Sequence, residues 1–366
     1  MEHHFHGPSY TLGIEEELMI VDPEGYRLVN AIESLLEDAT HGEIKPELME
    51  SVLEIATKPC RNTVEAGEQL RSLRRQVRES AANRGLTIGS AGTHPFAMWE
   101  EARIVARPRY RELISALRFV ARQELIFGMH VHIGLDDPDK AIHVANGMRL
   151  HLPVLLALSA NSPFWRADQT GLMSTRTPIF RAFPRVGIPP YYRDWADYDR
   201  QISFMVDAGV MADYTYLWYD VRPHPKFGTV EIRVCDSQTR VEHTLALAAL
   251  IQAMVHELAE GFGSASDLPD LPWQILDENK WLAARHGLAG ELVDLPSGEK
   301  IGARDLARRQ LDRLREHAQQ VGSEADFAGI EDLIQRGSGA ERQVVVYEAN
   351  HDLREVMAEI VEATGA

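Results

Sequence analysis

The chain has 366 residues, 45% of them hydrophobic and 25% charged, a profile that suits a globular protein able to bury a sizeable core. Its 38 lysines and arginines against 55 aspartates and glutamates leave a net charge of −17. That argues against a nucleic-acid or anionic-membrane partner, since both need a basic footprint. It leaves room for a nucleotide, whose phosphates can be reached through bound cations and a few local arginines.

The N-terminal MEHHFHGPSY lacks the basic-then-apolar layout of a signal peptide, and its three histidines are read as a frayed terminus rather than a metal tail. YTLGIEEELMIVD (10–22) reads as a strand, and PEG (23–25) turns into a second short strand, YRLVN. ELMESVLEIAT (47–57) fits helix and strand equally. Residues 62–85 form an amphipathic helix capped by Asn62 or Thr63 and stopped at Gly85. A strand at 86–93, a helix from about Pro108 to Leu125 and the strand FGMHVHIGL follow. Residues 137–160 make a long helix kinked at Pro153. It contains the longest apolar run, LHLPVLLALSA (150–160), well short of the roughly 18 residues a membrane helix needs.

Residues 161–193 are rich in Pro, Arg and aromatics and show little periodicity; a loop of that length is usually functional. A helix near 194–208 precedes two strands, 216–224 and 229–236, joined by a PKFG hairpin turn. Residues 241–262 are strongly helical, 263–303 are looser, and the remainder is helical and charged apart from the β-like RQVVVY (342–347). Antiparallel hairpins plus helices, without a βαβ alternation, predict an α+β protein with one large sheet.

Strand side chains alternate, so residues two apart share a face. Three predicted strands each place a polar pair on one face: Glu15 with Glu17, His130 with His132, and Glu231 with Arg233. Taken singly these are a solvated edge strand, two satisfied histidines and a cross-strand ion pair. Taken together they are a metal cleft, because carboxylates gathered on one face repel and raise each other's pKa unless cations separate them. Magnesium suits the oxygen ligands, and manganese tolerates an imidazole better. Glu47, Glu50 and Glu54 form a second acidic set; on a helix all three share a face, while on a strand Glu47 faces away from the other two. There is no GxxxxGK[ST] phosphate loop and no Rossmann glycine fingerprint. Cys60 and Cys235 show no CxxC spacing and no activating neighbours, which points to a reducing cytoplasm and, for Cys235, a packing role.

GIEEE, ELMESVLEIATKP, GMHVHIG and TVEIRVCDSQ occur in the order found in the bacterial carboxylate–amine ligases known as glutamate–cysteine ligase type 2, which the chain resembles from about Tyr10 to its end. A more distant resemblance is to glutamine synthetase, which has a strand with two glutamates two apart, a Gly-Met-His-x-His strand and a Glu-x-Arg strand followed by Asp. The resemblance implies a single glutamine-synthetase-like catalytic domain over 1–366, with a curved, mainly antiparallel sheet, flanking helices and a helical C-terminal portion from about 263. It implies ATP-dependent joining of a small-molecule carboxylate to an amine, with two or three Mg²⁺ or Mn²⁺ ions, in the cytoplasm and in a homodimer.

By the same resemblance, Glu15, Glu47 and Glu54 form one metal group, and Glu17, His130 and Glu231 the other. His132 approaches the nucleotide and Arg233 faces the transferred phosphoryl group. Asparagine stands in place of His132 in the true glutamate–cysteine ligases. Arg176, Arg181 and Arg185 of the long loop are candidates to clamp phosphate or a substrate carboxylate, since guanidinium pairs bidentately with both. Two other readings compete. One is a metal-dependent hydrolase built on the HxH strand of a (β/α)₈ barrel; the other is a non-catalytic nucleotide-binding regulator.

Overall fold

The computed structural model describes residues 1–37, 43–264, 271–295 and 297–365. Its main sheet has seven strands: β1 (Leu12–Val21), β2 (Ile44–Pro46), β3 (Val52–Ala56), β4 (Thr87–Gly89), β5 (Met129–Gly134), β6 (Val221–His224) and β7 (Thr229–Ile232). They run in the order β6-β7-β5-β1-β3-β2, with β4 also on β1, and every pairing is antiparallel. This pairing excludes the parallel barrel of the hydrolase reading.

Strand alternation assigns the two faces of the sheet. Leu12 and Ile14 of β1, Met129, Val131 and Ile133 of β5, and Val230 and Ile232 of β7 are buried in the main core. Helices α1 (Thr63–Ala82), α2 (Pro138–Met148), α3 (Leu152–Ser159) and α4 (Val241–Glu260) enclose that core, with α1 on β1, α2 on β6 and α4 on β5. α1 is capped as expected, the Asn62 side chain accepting from the Glu65 amide at 3.2 Å. α4 is buried on nearly every side, which explains its continuous apolar run. The polar pairs of β1, β5 and β7 lie on the opposite face.

Several local expectations need correcting. The ambiguous segment is the strand β3, and residues before Val52 form a turn, so neither face assignment for Glu50 applies. YRLVN contributes a single bridge, Leu28 to Val21. The helix after Pro108 is broken at Arg118, whose φ of 54° no helix accommodates, into Pro108–Leu117 and Phe119–Arg122. The 137–160 helix is two helices bent by 63°, with Pro153 in the first turn of α3, where a missing N–H costs nothing. The looser stretch holds α5 (Trp273–His286) and a hairpin of β8 (Glu291–Asp294) with β9 (Glu299–Gly302). After α6 (Ala303–Gln320), the β-like RQVVVY lies inside α7 (Gly339–Asn350). A complete Ser338–Glu341 capping box starts α7 and outweighs the β-propensity of three consecutive valines. α8 (Leu353–Gly365) closes the described chain against β4.

The N-terminus is not frayed. Phe5 is 2% exposed and packs edge-on against Trp195, and the Met1 ammonium meets Asp199 at 2.8 Å. No single helix among the described residues is long and apolar enough to cross a membrane.

Candidate active site

Strand register places the functional side chains in successive rows across the sheet. In one row Arg222 of β6 stands opposite Glu231 of β7, which stands opposite His132 of β5. In the next, His130 stands opposite Glu15 of β1. In a third, Glu17 stands opposite Glu54 of β3, and Glu54 opposite Lys45 of β2. Each implied group draws on more than one row: Glu15 stands opposite His130 while its charge reaches Glu54, and Glu17 stands opposite Glu54 while it lines one pocket with His130 and Glu47.

His130 Nδ1 lies 3.3 Å from Glu15 Oε2, and His132 Nε2 lies 3.8 Å from the same oxygen and 3.9 Å from Glu231 Oε1. One ligand atom each from Glu15, His132 and Glu231 falls within 4.8 Å of the others. His132 Nδ1 is held by Thr229 Oγ1 at 3.0 Å, while its Nε2 is buried with no hydrogen-bond partner. A buried imidazole nitrogen facing two carboxylates, with its other nitrogen fixed by a neighbour, is the donor set that a divalent cation completes. Their chemistry fits a divalent cation, with Glu15 and Glu231 among the metal residues expected from the sequence and His132, expected at the nucleotide, completing the set.

Glu231 is 1% exposed. Arg222 Nε donates to its Oε2 at 2.6 Å and Arg233 pairs with its Oε1. Arg222 is itself braced by the carbonyls of Thr215 and Leu217, at 3.2 and 2.6 Å. Burial alone raises the pKa of Glu231, but the two guanidiniums and the imidazoles hold it well below the usual carboxylate range. Glu15 is likewise held low against burial, by the hydrogen bond from His130 and the charges of His132 and His130. Burial and the Arg233 charge lower His130, whereas Glu231 and Glu15 raise His132 despite its burial.

The neighbouring rows behave oppositely. A small pocket is lined by Glu17, Glu47, Glu124, His130, Arg176 and Arg233, with apolar walls from Leu48, Met49, Val52, Ile126 and Phe180. Glu47 is raised well above the ordinary range by burial and by the charges of Glu54, Glu17 and Glu124. Burial and Glu15 push Glu54 to about 7, although Lys45 Nζ meets it at 2.9 Å. Burial and Glu17 push Glu124 to about 8. Glu17 Oε2 accepts the Gly128 amide at 2.5 Å.

Arg176 is buried beneath the pocket. Its Nη atoms donate to the carbonyls of Arg233 and Val234 at 3.2 and 3.3 Å, and a Cβ at Gly128 would collide with its guanidinium. Asp236 fixes the loop that carries it, accepting from Asn161 N, Ser162 Oγ and Ser174 Oγ at 2.8, 2.6 and 2.9 Å. The other candidates lie elsewhere. Arg181 pairs with Asp277 of α5 and packs over Trp273, 5.4 Å from the ring centroid. Arg185 donates to the Tyr216 carbonyl at 3.0 Å. Glu50 pairs with Arg103 at 3.0 Å. Cys235 is a core residue.

Arg222 and Glu124 escaped the reading of the sequence. Arg222 could have been found, because it occupies the in-phase position of the strand that hairpins onto Glu231. Glu124 follows a broken helix and carries no period.

The model of glutamate–cysteine ligase family 2 matches residues 11–362. A Rubrobacter xylanophilus protein provisionally named glutamate–cysteine ligase 2-1 is 44% identical over 97% of this chain and 95% of its own length. A Solibacter usitatus protein provisionally named glutamate–cysteine ligase 2 is 38% identical over 98% of this chain and 94% of its own. Among solved structures, a Francisella tularensis glutamate–cysteine ligase in complex with AMP superposes with a TM-score of 0.71 at 16% identity, covering 98% of this chain and 89% of that one. A bifunctional glutathione synthetase from Pasteurella multocida gives 0.69 at 16% identity, covering 98% and 52%. At such identities the likeness is one of fold, and it agrees with the glutamine-synthetase-like α+β architecture expected from the sequence.

Proposed function

We infer the reaction from one premise: this chain belongs to glutamate–cysteine ligase family 2. It is an ATP-dependent carbon–nitrogen ligase that joins a small-molecule carboxylate to an amine. The observation that carries this reading is the convergence of Glu15, His130, His132 and Glu231 beside Arg233, with Glu17 and Glu54 in the adjoining row and Glu47 on the pocket wall.

A carboxylate is a poor acyl donor because oxide is a poor leaving group. Transfer of the ATP γ-phosphoryl gives an acyl phosphate, which an amine attacks to expel phosphate. The protein's part is positioning and charge neutralisation. Divalent ions, Mg²⁺ or Mn²⁺, held by Glu15, His130, Glu231, Glu17, Glu47 and Glu54, would screen the triphosphate from the substrate carboxylate. His132 presents Nε2 toward the same space, where it would complete the Glu15–Glu231 donor set, and Thr229 Oγ1 holds its Nδ1. Arg233, aimed by Glu231 and standing 3.4 Å from His130 Nδ1, is a fixed donor for charge developing on the transferred group. Arg176, its backbone contacts already made, offers its guanidinium to an anionic part of the substrate from below the pocket.

The relatives' names carry the pair glutamate and cysteine, and that pair is the first to try. The test is a panel of amino acids and amines incubated with ATP and Mg²⁺, scored by mass for a product one water lighter than its precursors and by ADP release. ADP formation that needs both an acid and an amine supports the reading. A panel without any nucleotide-dependent product overturns it.

A further inference from the structure

We propose that the outer face of Phe227 is the stacking platform for the nucleobase of the bound nucleotide. This rests on the ATP-dependent reading and extends it to a subsite at the β6–β7 turn. Phe227 is 57% exposed, although it belongs to a tight turn next to the polar face of the sheet. Its inner face is stacked on His224, with centroids 4.2 Å apart and planes inclined by 12°. His132 meets both rings edge-on, at 5.5 Å from His224 and 5.7 Å from Phe227. Tyr214 closes the group from the far side, 5.3 Å from His224. An aromatic ledge thus runs unbroken from the imidazole that faces Glu15 and Glu231 out to an exposed ring. A ligand with a phosphate end and a flat apolar end fits that order: phosphates over the acidic and imidazole rows, base over Phe227. Stacking on an aromatic ring suits any base, since each has a π-face.

The ledge is also held in place from outside the sheet, which an incidental surface phenylalanine would not need. The N-terminal segment crosses the turn. His4 N donates to the Pro225 carbonyl at 2.9 Å, and His4 Nδ1 lies 2.8 Å from the Lys226 carbonyl. Gly228, at φ 65°, lets the His4 carbonyl approach so closely that any side chain there would collide with it. Buried Phe5 anchors this strap in the main core. Exposed Lys226 places Nζ over the Phe227 ring, 6.0 Å from its centroid, and is the side chain that a base stacking there would displace.

The test is calorimetric titration of the full chain with ADP and with inorganic pyrophosphate, both with Mg²⁺, for wild type, Phe227→Ala and Phe227→Trp. Phe227→Ala should weaken ADP binding about ten-fold or more and leave pyrophosphate unchanged, the size expected for one lost base stack. Phe227→Trp should keep ADP affinity, and its emission should respond to ADP but not to pyrophosphate. ADP binding by Phe227→Ala within about two-fold of wild type would overturn the proposal. A wild type that binds neither ligand would instead sink the ATP-dependent reading beneath it.

Discussion

Glu231 shows how one side chain carries both the chemistry and the local fold. It is buried, it receives Arg222 from behind and Arg233 from the pocket side, and it faces His132 across the strand pair. Truncation to alanine would leave two buried guanidiniums without their carboxylate, a loss of about 3–5 kcal/mol. Glu231→Ala is therefore expected to abolish turnover and to lower stability without unfolding the chain. Glu231→Gln keeps an acceptor for Arg222 and isolates the loss of charge. We expect it to lower kcat about 100-fold or more, with a circular-dichroism spectrum like that of wild type. Near-normal turnover by Glu231→Gln would remove Glu231 from the metal set. Arg233 is held by Glu231 and approaches His130, so its guanidinium is fixed before substrate arrives. Lysine keeps the charge but not the fork. Arg233→Lys should lower kcat by about 10²–10³ while the KM for ATP stays near wild type, as steady-state kinetics would show. A raised KM for ATP with kcat unchanged would assign Arg233 to ground-state binding.

At the scale of the element, β1 explains why three consecutive glutamates have two different fates. Glu15 and Glu17 point to the polar face, while Glu16 points into the helices at 0% exposure. There Arg74 of α1 pairs with it through both oxygens at 2.8 Å, and Thr244 of α4 donates at 2.5 Å. Arg74 also donates to the carbonyls of Gln238 and Thr239, tying α1 to the segment that follows the Glu-x-Arg strand. Arg74→Ala should cost about 3–5 kcal/mol in urea unfolding, because it strands a buried carboxylate. Replacing Glu16 and Arg74 together by leucine should recover most of that loss; no recovery would mean that the backbone contacts of Arg74 matter more than its charge. Alternation made Glu15, Glu17, His130, His132, Glu231 and Arg233 legible, because period two follows from local stereochemistry. Register was not legible, since hydrogen bonds between distant segments set it. Hence the cross-strand neighbours of Glu15 and Glu17 could not be read, and Glu16 went unnoticed. Arg181 and Arg185 failed for a related reason: an aperiodic loop gives no phase, and other elements claimed both side chains. RQVVVY failed because the Ser338–Glu341 capping box directly upstream of it decided the conformation of α7.

For the whole molecule, the acidic rows set a conflict between stability and function. Glu54 and Glu124 are pushed to about 7 and about 8, burial acting first and neighbouring carboxylates second, and Glu47 is raised for the same reasons. A carboxyl with a raised pKa in the fold holds its proton there at pH values where the unfolded chain has released it. Its contribution is therefore fully present below about 4.5 and is lost as pH rises through the folded value. Glu15 and Glu231 work in the reverse sense, stabilising above the ordinary carboxylate range and failing as pH falls. In chelator, the melting temperature should accordingly decline between about pH 5.5 and pH 8.5. Divalent cations bind only the deprotonated carboxylates, so millimolar Mg²⁺ or Mn²⁺ should raise the melting temperature little at the acidic end and most at the alkaline end. Thermal unfolding across that range, with and without Mg²⁺, gives the gap directly. A general salt effect on a chain of net charge −17 would also stabilise it, so the control is the double variant Glu47→Gln with Glu54→Gln. If the cations act at these rows, the variant should melt higher than wild type in chelator at pH 8, by roughly 2–4 °C for each kcal/mol of relieved repulsion. It should also lose most of the Mg²⁺ gain and its turnover. A variant that keeps the full Mg²⁺ gain would place the cations elsewhere on the surface.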